Sequence, residues 1–316
     1  MRSEFDFIKS LRNNFNLPAL GDDCAVLPKD DVSDLLVSSD LLVEDIDFRL
    51  RWITPKQLGH KALAVSLSDI ASMGGKPIHS LISLGVPERV WNTNFLDEFY
   101  SGYFELANKF NVELAGGDIS KTPDRIVIDS TVLGEVKRGN AILRSTAKPN
   151  ELIMVSGPLG GASTALELLE GGDTSPESVT QDLVATQLTP MPRVEYGKML
   201  QENYLATAMI DISDGLSSDL KHICEASSVG AIVYADKIPV NEHLQRLKPE
   251  FPAQLDKALN GGEDFELLFT VDPRKISNKF LREFSIIGET TQTADTIELI
   301  DGDKSMNLIS RGYTHF

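Results

Sequence analysis

Residues 54–77 read TPKQLGHKALAVSLSDIASMGGKP, and the fold of the first half follows from them. Thr54 offers a side-chain cap and Pro55 stands at the first helical position, so a helix starts here. Leu63, Leu67 and Ile70 recur at i, i+4 and i+7 and give it an apolar face. Gly74-Gly75 stops it. Outward on the N-terminal side, LLVSSD at 35–40 reads as a strand ending in polar residues. On the other side a second helix covers about residues 95–110, with Phe95, Phe99, Leu106 and Phe110 on one side. VELA at 112–115 is a short strand running into Gly116-Gly117-Asp118, and IVIDSTVLGEV at 126–136 is another strand.

The pattern resets near Lys148-Pro149-Asn150, where we place a boundary between an N-terminal domain, 1–148, and a C-terminal domain, 149–316. ELIMVSG is strand-like, GPLGGA is a glycine loop and STALELLE is a helix. Residues 176–203 read as mostly helical. Residues 207–230, TAMIDISDGLSSDLKHICEASSVG, give a short strand, an acidic turn, and a helix with Leu216, Leu220 and Ile223 on one face. Residues 262–271, GEDFELLFTV, are a turn into a strand. Mixed strands and helices in both halves define an α/β (α+β) fold of two domains.

Bulk properties agree. A length of 316 residues suggests about two domains at roughly 100–200 residues each. Hydrophobic residues at 41% support a packed core and argue against disorder. No apolar run approaches the ~18 residues that span a bilayer, and MRSEFDFIKSLRNNF lacks a signal-peptide core. The expectation is a cytoplasmic protein with no membrane contact. A net charge of −17 argues against nucleic acid, which wants a basic stripe. Cys24 and Cys224, the two cysteines, make neither a disulfide framework nor a zinc site. Cys224 reads as a core residue, and Cys24 has no positive charge near it in sequence to make it a nucleophile.

The recurring feature is an aspartate at the junction of a strand or helix with a tight turn. The cases are Gly21-Asp22-Asp23, Ser38-Ser39-Asp40, Ser68-Asp69, Gly117-Asp118, Asp211-Ile212-Ser213-Asp214-Gly215 and Gly261-Gly262-Glu263-Asp264. Asp and Gly both favour turns, so each alone reads as structural. Asp69 is harder to dismiss: Leu67 and Ile70 flank it in an apolar helix, where a bare carboxylate is costly unless paired. Carboxylates, hydroxyls and carbonyls are hard donors that suit Mg2+, which binds through one or two carboxylates plus substrate phosphates. The five histidines form no ligand-spaced cluster of the kind zinc takes. A chain this acidic binds polyphosphate only with cations in between, so the pattern favours magnesium and phosphorylated ligands. The loop Ser156–Gly161 joins a strand to a helix whose N-terminus can hold an anion. It lacks the Gly-Lys-Ser/Thr of a P-loop, and a plain tight turn is the simpler reading. Arg144, leading Ser-Thr after a short apolar stretch, is a candidate to pair a phosphate oxygen.

Taken in order, these segments resemble the thiamine-monophosphate kinase family. The matching stretches are GDDCAVL at 21–27, SSDLLVE at 38–44, LGHKALAVSLSDIASMGGKP at 58–77, ELAGGD at 113–118 and LRSTAKPNE at 143–151. They continue with VSGPLGGA at 155–162, MIDISDGLSSDLKHI at 209–223, GGEDFELLFT at 261–270 and GYTHF at 312–316. The combination, spanning nearly the whole chain, is specific where no single piece is. The wider superfamily includes aminoimidazole ribonucleotide synthetase, selenophosphate synthetase and a hydrogenase maturation factor.

The resemblance implies a two-domain aminoimidazole ribonucleotide synthetase-like fold. The N-terminal sheets of two subunits would pair in a homodimer, with ATP in clefts near that interface. It implies ATP-dependent phosphorylation of thiamine monophosphate to thiamine diphosphate with release of ADP, the last step of thiamine diphosphate biosynthesis. By matching motifs, Asp23, Ser38, Ser39, Asp40, Asp69, Asp118, Asp211 and Asp214 would hold several Mg2+ ions. Gly117, Asp118, Arg144 and Ser213 would meet the nucleotide, and Glu263 and Tyr313 would contact thiamine. The carboxylates Asp40, Asp69, Asp118 and Asp211 would then converge on one cleft. One departure stands out: where the family often has a substrate-contacting His, this chain has Asp47, which can still face the cationic thiazolium.

The acceptor sets the mechanism. A phosphate monoester has a second pKa of about 6 and is already a dianion at neutral pH, so it needs no general base. Its difficulty is repulsion: unit like charges about 4 Å apart repel by ~1 kcal/mol in water and ~4 at an effective dielectric of 20. Divalent ions and positioning address that, and direct in-line transfer follows. The runner-up is another ATP-using member of the superfamily, such as an aminoimidazole ribonucleotide synthetase-like ligase. A hydrogenase maturation factor is expected to end in a cysteine, whereas this sequence ends Tyr-Thr-His-Phe, and Cys24 fits the kinase motif better than a selenophosphate synthetase. From a different class, a non-catalytic nucleotide-binding protein of this fold would bind nucleotide without turnover.

Overall fold

The computed structural model describes residues 4–172, 178–277 and 280–313. The first half contains α1 (Glu4–Phe15), β1 (Ala25–Pro28), β2 (Ser33–Val43), α2 (Pro55–Ser72), β3 (Lys76–Pro87), α3 (Glu88–Trp91), α4 (Phe95–Phe110), β4 (Glu113–Thr122) and β5 (Val127–Lys137). Its sheet runs β1-β2-β5-β3-β4. β2 and β5 form a long antiparallel ladder, and β4 joins β3 in parallel after the helical crossover. Side chains alternate with period 2. Ile128, Ser130, Val132 and Val136 of β5 are buried against α2, and their neighbours turn to the outer face.

α2 starts where the sequence places it. Thr54 and Gln57 form a capping box, with the Gln57 N–H donating to Thr54 Oγ1 at 3.3 Å and the Thr54 N–H donating to Gln57 Oε1 at 3.0 Å. α4 crosses it at a glycine contact. A Cβ on Gly59 would lie 1.8 Å from the Phe99 carbonyl oxygen, and one on Gly102 would lie 1.8 Å from that of Lys56. The two backbones touch, and no larger residue fits at either position.

The second half contains β6 (Leu152–Val155), α5 (Gly161–Gly171), α6 (Ser178–Leu188), α7 (Val194–Glu202), β7 (Ala206–Asp211), α8 (Leu216–Ser227) and β8 (Gly230–Tyr234). It continues with α9 (Glu242–Leu247), α10 (Phe251–Asn260), β9 (Leu267–Val271), β10 (Ser285–Thr291), β11 (Ile297–Asp301) and β12 (Lys304–Asn307). Its sheet runs β12-β11-β8-β10-β6-β9-β7. Met154, Met209, Leu267 and Phe269 of this sheet join one core with Leu67 and Ile70 of α2. Ile153, Ala208, Ile210 and Leu268, on the other face, pack with Leu216, Leu220 and Ile223 of α8. α2 therefore lies between the two sheets, and one apolar core passes through both halves. Among the described residues no helix is long and apolar enough to cross a membrane.

Two sequence expectations need correction. Ser38-Ser39-Asp40 is not a strand end but lies mid-strand, because β2 continues to Val43 against β5. Gly116-Gly117-Asp118 likewise lies within β4, which runs on to Thr122 beside β3. Ladders to partners distant in sequence override the local turn preference of Ser, Asp and Gly.

Candidate functional site

α2 carries two buried polar stripes. Lys61 and Ser68, at i and i+7, reach Glu263 and Asp211 of the second half, while Ser72 reaches Asp23 and Ser66 with Asp69 faces β2. Each serine hydroxyl finds a carboxylate. Ser66 donates to Asp40 at 2.7 Å, Ser68 to Asp211 at 2.5 Å and Ser72 to Asp23 at 2.6 Å. Ser38, two residues before Asp40 on the same face of β2, donates to Asp69 and, at 3.3 Å, to Asp40. Asp211 arrives at the C-terminal end of β7. Oxygens of Asp23, Asp69 and Asp211 all lie within 4.8 Å of one another.

Arg144 closes one side of this cluster. Its guanidinium binds Asp23, its Nε is 3.6 Å from Asp22, and its backbone N–H donates to Asp22 at 3.2 Å. One guanidinium does not balance so many acids. Burial, then Asp23, pushes Asp22 up to about 7, and burial, then Asp23, pushes Asp211 up to about 8. Burial also raises Asp40, and burial together with Asp40, Asp211 and Asp23 holds Asp69 well above the usual carboxylate range. Hard oxygen donors gathered under mutual repulsion fit divalent magnesium, and their own chemistry supports that assignment. Cys24 lies beneath them, and burial and Asp69 keep its thiol protonated, so it is no nucleophile.

Asp118 does not join this cluster within one chain. The register runs Asp40–Ser130–Ile82–Gly117 on the face toward α2 and Leu41–Asp129–Ser83–Asp118 on the outer face. Asp118 is thus three strands away from Asp40, about 14 Å, and on the opposite side of the sheet. Ser39 also faces outward, 3.2 Å from Thr131 Oγ1 and 3.5 Å from Asp129. Gly117 has a structural reason: at φ +152, a Cβ there would lie 1.8 Å from the Ile82 carbonyl.

A second group forms around the turn between β7 and α8. Ser213 accepts the N–H of Glu263 at 2.8 Å, and Ile212 accepts that of Phe265 at 2.9 Å. Glu263 (φ +65) and Phe265 (φ +50) both sit in left-handed conformations, held by these bonds. The N–H of Tyr313 donates to the Asp214 carbonyl at 3.1 Å, which brings the C-terminal segment over the same turn. Burial, Asp47, Glu263 and Asp214 all raise the Tyr313 hydroxyl, so Asp47, Glu263 and Tyr313 are electrostatic neighbours. Asp47 also accepts the Val43 N–H at 2.8 Å and so closes its own turn. Residues 314–316 of the GYTHF motif lie outside the described residues.

The glycine loop before α5 is filled from within. Asp264 accepts the N–H of Gly160 at 2.6 Å and of Ala162 at 3.0 Å, occupying the helix end that the sequence left open to a phosphate. Sequence reading named Asp22 only as part of an acidic turn and Asp214 only as a ligand beside Asp211; it missed the α2 serines as donors to the carboxylates, and Asp219 and His222, whose ligand atoms lie within 4.8 Å of Asp214. Three serines in a largely apolar helix, and an Asp–His pair at i, i+3 on α8, were the available signals.

The chain matches the family models of AIR synthase related protein, N-terminal domain, over residues 21–136, and C-terminal domain, over residues 148–299. The fold and its aspartate cluster thus belong to an AIR synthase related protein. The thiamine-monophosphate kinase of Bacillus subtilis (strain 168) is 36% identical to the chain over 99% of both. That of Escherichia coli (strain K12) is 36% identical, over 99% of this chain and 95% of the relative. The solved structure of AaThiL complexed with AMPPCP and TMP has a TM-score of 0.90 at 31% identity, covering 99% of this chain and 97% of that one. The chain belongs to the thiamine-monophosphate kinase family.

Proposed function

We propose that this chain transfers the terminal phosphoryl group of ATP to thiamine monophosphate, giving ADP and thiamine diphosphate. The observation that carries this reading is the end-to-end likeness to a structure holding AMPPCP, an ATP analogue, together with TMP. Asp23, Asp69 and Asp211, with Ser38 and Asp40, would hold Mg2+, while Asp214 lies at the next turn. The ions supply the positive charge that lets two phosphorylated ligands approach. Arg144, Ser213 and Gly117 belong to the nucleotide, and Asp47, Glu263 and Tyr313 to the thiamine moiety. Residues 1–148 then form the ATP- and metal-binding half, and 149–316 the second α/β half. Transfer is direct. The acceptor is already ionised, and among the described residues buried Cys24 and the scattered histidines offer no positioned nucleophile. A coupled assay should show ADP release that depends on thiamine monophosphate and on Mg2+. Release without any acceptor, or with aminoimidazole ribonucleotide precursors instead, would replace this reading, and binding without turnover would make the chain a nucleotide-binding protein.

A homodimer completes the arrangement. The outer face of the first sheet exposes Leu41 (58%) and Leu81 (38%) beside Ser39, an apolar patch that pairing would cover. Asp118 and Asp40 face opposite ways, so a site using both needs a second copy. Sedimentation is expected to give twice the chain mass of 34.7 kDa, and Leu41→Asp should shift it toward monomer with loss of activity. A monomeric wild type with full activity would remove this part.

A further inference from the structure

Lys61 lies in the middle of α2 with its side chain 1% exposed. A buried ammonium persists only with a close partner, and its Nζ is 2.8 Å from Glu263 Oε1. The other oxygen, Glu263 Oε2, accepts the side-chain amide of Gln187 from α6, itself only 4% exposed. Two buried donors from two helices therefore fix both oxygens of one carboxylate. That carboxylate is still 31% exposed, and together with Asp47 it acts on the Tyr313 hydroxyl. Its backbone is fixed as well, in the left-handed region and bonded to Ser213.

We propose that Lys61, supported by Gln187, is a positioning residue that sets the Glu263 carboxylate for the organic end of the acceptor. The inference rests on the reading that Glu263 contacts that acceptor. The helix also sets a length. Lys61 stands eight residues before Asp69, about 12 Å along the axis at 1.5 Å per residue. One rigid element therefore fixes the separation between the carboxylate that meets the organic end and the carboxylates that gather at the phosphate end. Short phosphomonoesters would reach one end and not both.

Position and charge make opposite demands. If Glu263 acted through its charge alone, removing Lys61 would leave it more negative and tighten a cationic acceptor. If its position matters, losing a charge-assisted hydrogen bond frees the carboxylate and weakens binding. Lys61→Met is expected to raise KM for thiamine monophosphate about tenfold or more, the scale of such a bond, with KM for ATP within about twofold. Glu263→Gln should show the same split, and the Lys61→Met/Glu263→Gln double variant should be no worse than Glu263→Gln alone, since Lys61 acts through that side chain. Gln187→Leu should move KM the same way by less, and it carries the test if Lys61→Met does not fold. Short phosphomonoesters should be poor acceptors for the wild type and no poorer for Lys61→Met. If Glu263→Gln leaves KM for thiamine monophosphate unchanged, the placement of Glu263 fails and this inference with it. If Glu263→Gln raises KM while Lys61→Met and Gln187→Leu leave it unchanged or lower it, the positioning role alone is overturned.

Discussion

Replacing Asp69 or Asp211 by Asn is expected to leave a folded protein that turns over about 10²- to 10³-fold more slowly, because each removes a charged ligand from the metal cluster. Asp69 stands where α2 meets β2, and Asp211 where β7 meets α2, each within hydrogen-bond reach of one serine. Asn keeps the shape and the hydrogen-bond acceptor but removes a negative charge. In the metal-free protein that charge is unfavourable, since burial and neighbouring acids raise both pKa values. The melting temperature without metal should therefore hold or rise while activity collapses. Steady-state rates across a Mg2+ titration, with thermal melts in chelator, check both halves. Near-normal turnover at limiting Mg2+ in either variant would show that the cluster is not the metal site.

Stability of the metal-free protein should fall as pH rises from 6.5 to 8. An unfolded aspartate titrates near 3.9, whereas Asp211 titrates at about 8 and Asp22 at about 7 in the folded protein. Between those values the folded state binds more protons than the unfolded one, so raising the pH costs stability. From pH 6.5 to 8, Asp211 alone contributes a loss of about 2 kcal/mol. The lower range is less clean. Burial, then Arg144, pushes His222 down to about 4, so that side chain adds stability as pH rises toward 6.5 and nothing beyond. Asp30, held low by backbone N–H groups of Val32 and Ser33, and Asp272, held low by the Arg274 side chain, act only below the usual carboxylate range. Mg2+ binds the ionised carboxylates of the cluster and should flatten the slope; Asp264, raised by burial to about 7, and Asp219, held well above the usual carboxylate range by burial and then Asp214, leave a remainder. Urea midpoints at pH 6.5 and 8, with chelator and with Mg2+, measure the difference. A metal-free midpoint that is flat or rises over that interval contradicts the assigned environment of Asp211.

The helices were legible because their signals are local. Thr54, Pro55 and the i, i+4, i+7 spacing mark α2, and α4 falls at Phe95–Phe110. Asp69 was legible as an anomaly, a carboxylate among apolar neighbours that had to find partners. The partners were not legible, because Ser38 reaches it from 31 residues away and Asp211 joins through Ser68 across 143. The strand aspartates misled for the same reason. Asp40 and Asp118 sit among turn-forming residues, and only β5 and β3 make them strand residues. Their opposite faces depend on register, which a strand's own sequence does not carry. Lys61 was silent too: one lysine in a helix reads as a solvated charge until Glu263, some 200 residues on, is folded against it.

The central claim, phosphoryl transfer from ATP to thiamine monophosphate, is tested most directly with ATP labelled in its γ-phosphate. The expected result, with Mg2+ present, is label in thiamine diphosphate in step with ADP, and unlabelled enzyme after ATP alone. Label only in inorganic phosphate, or on the protein, would contradict it.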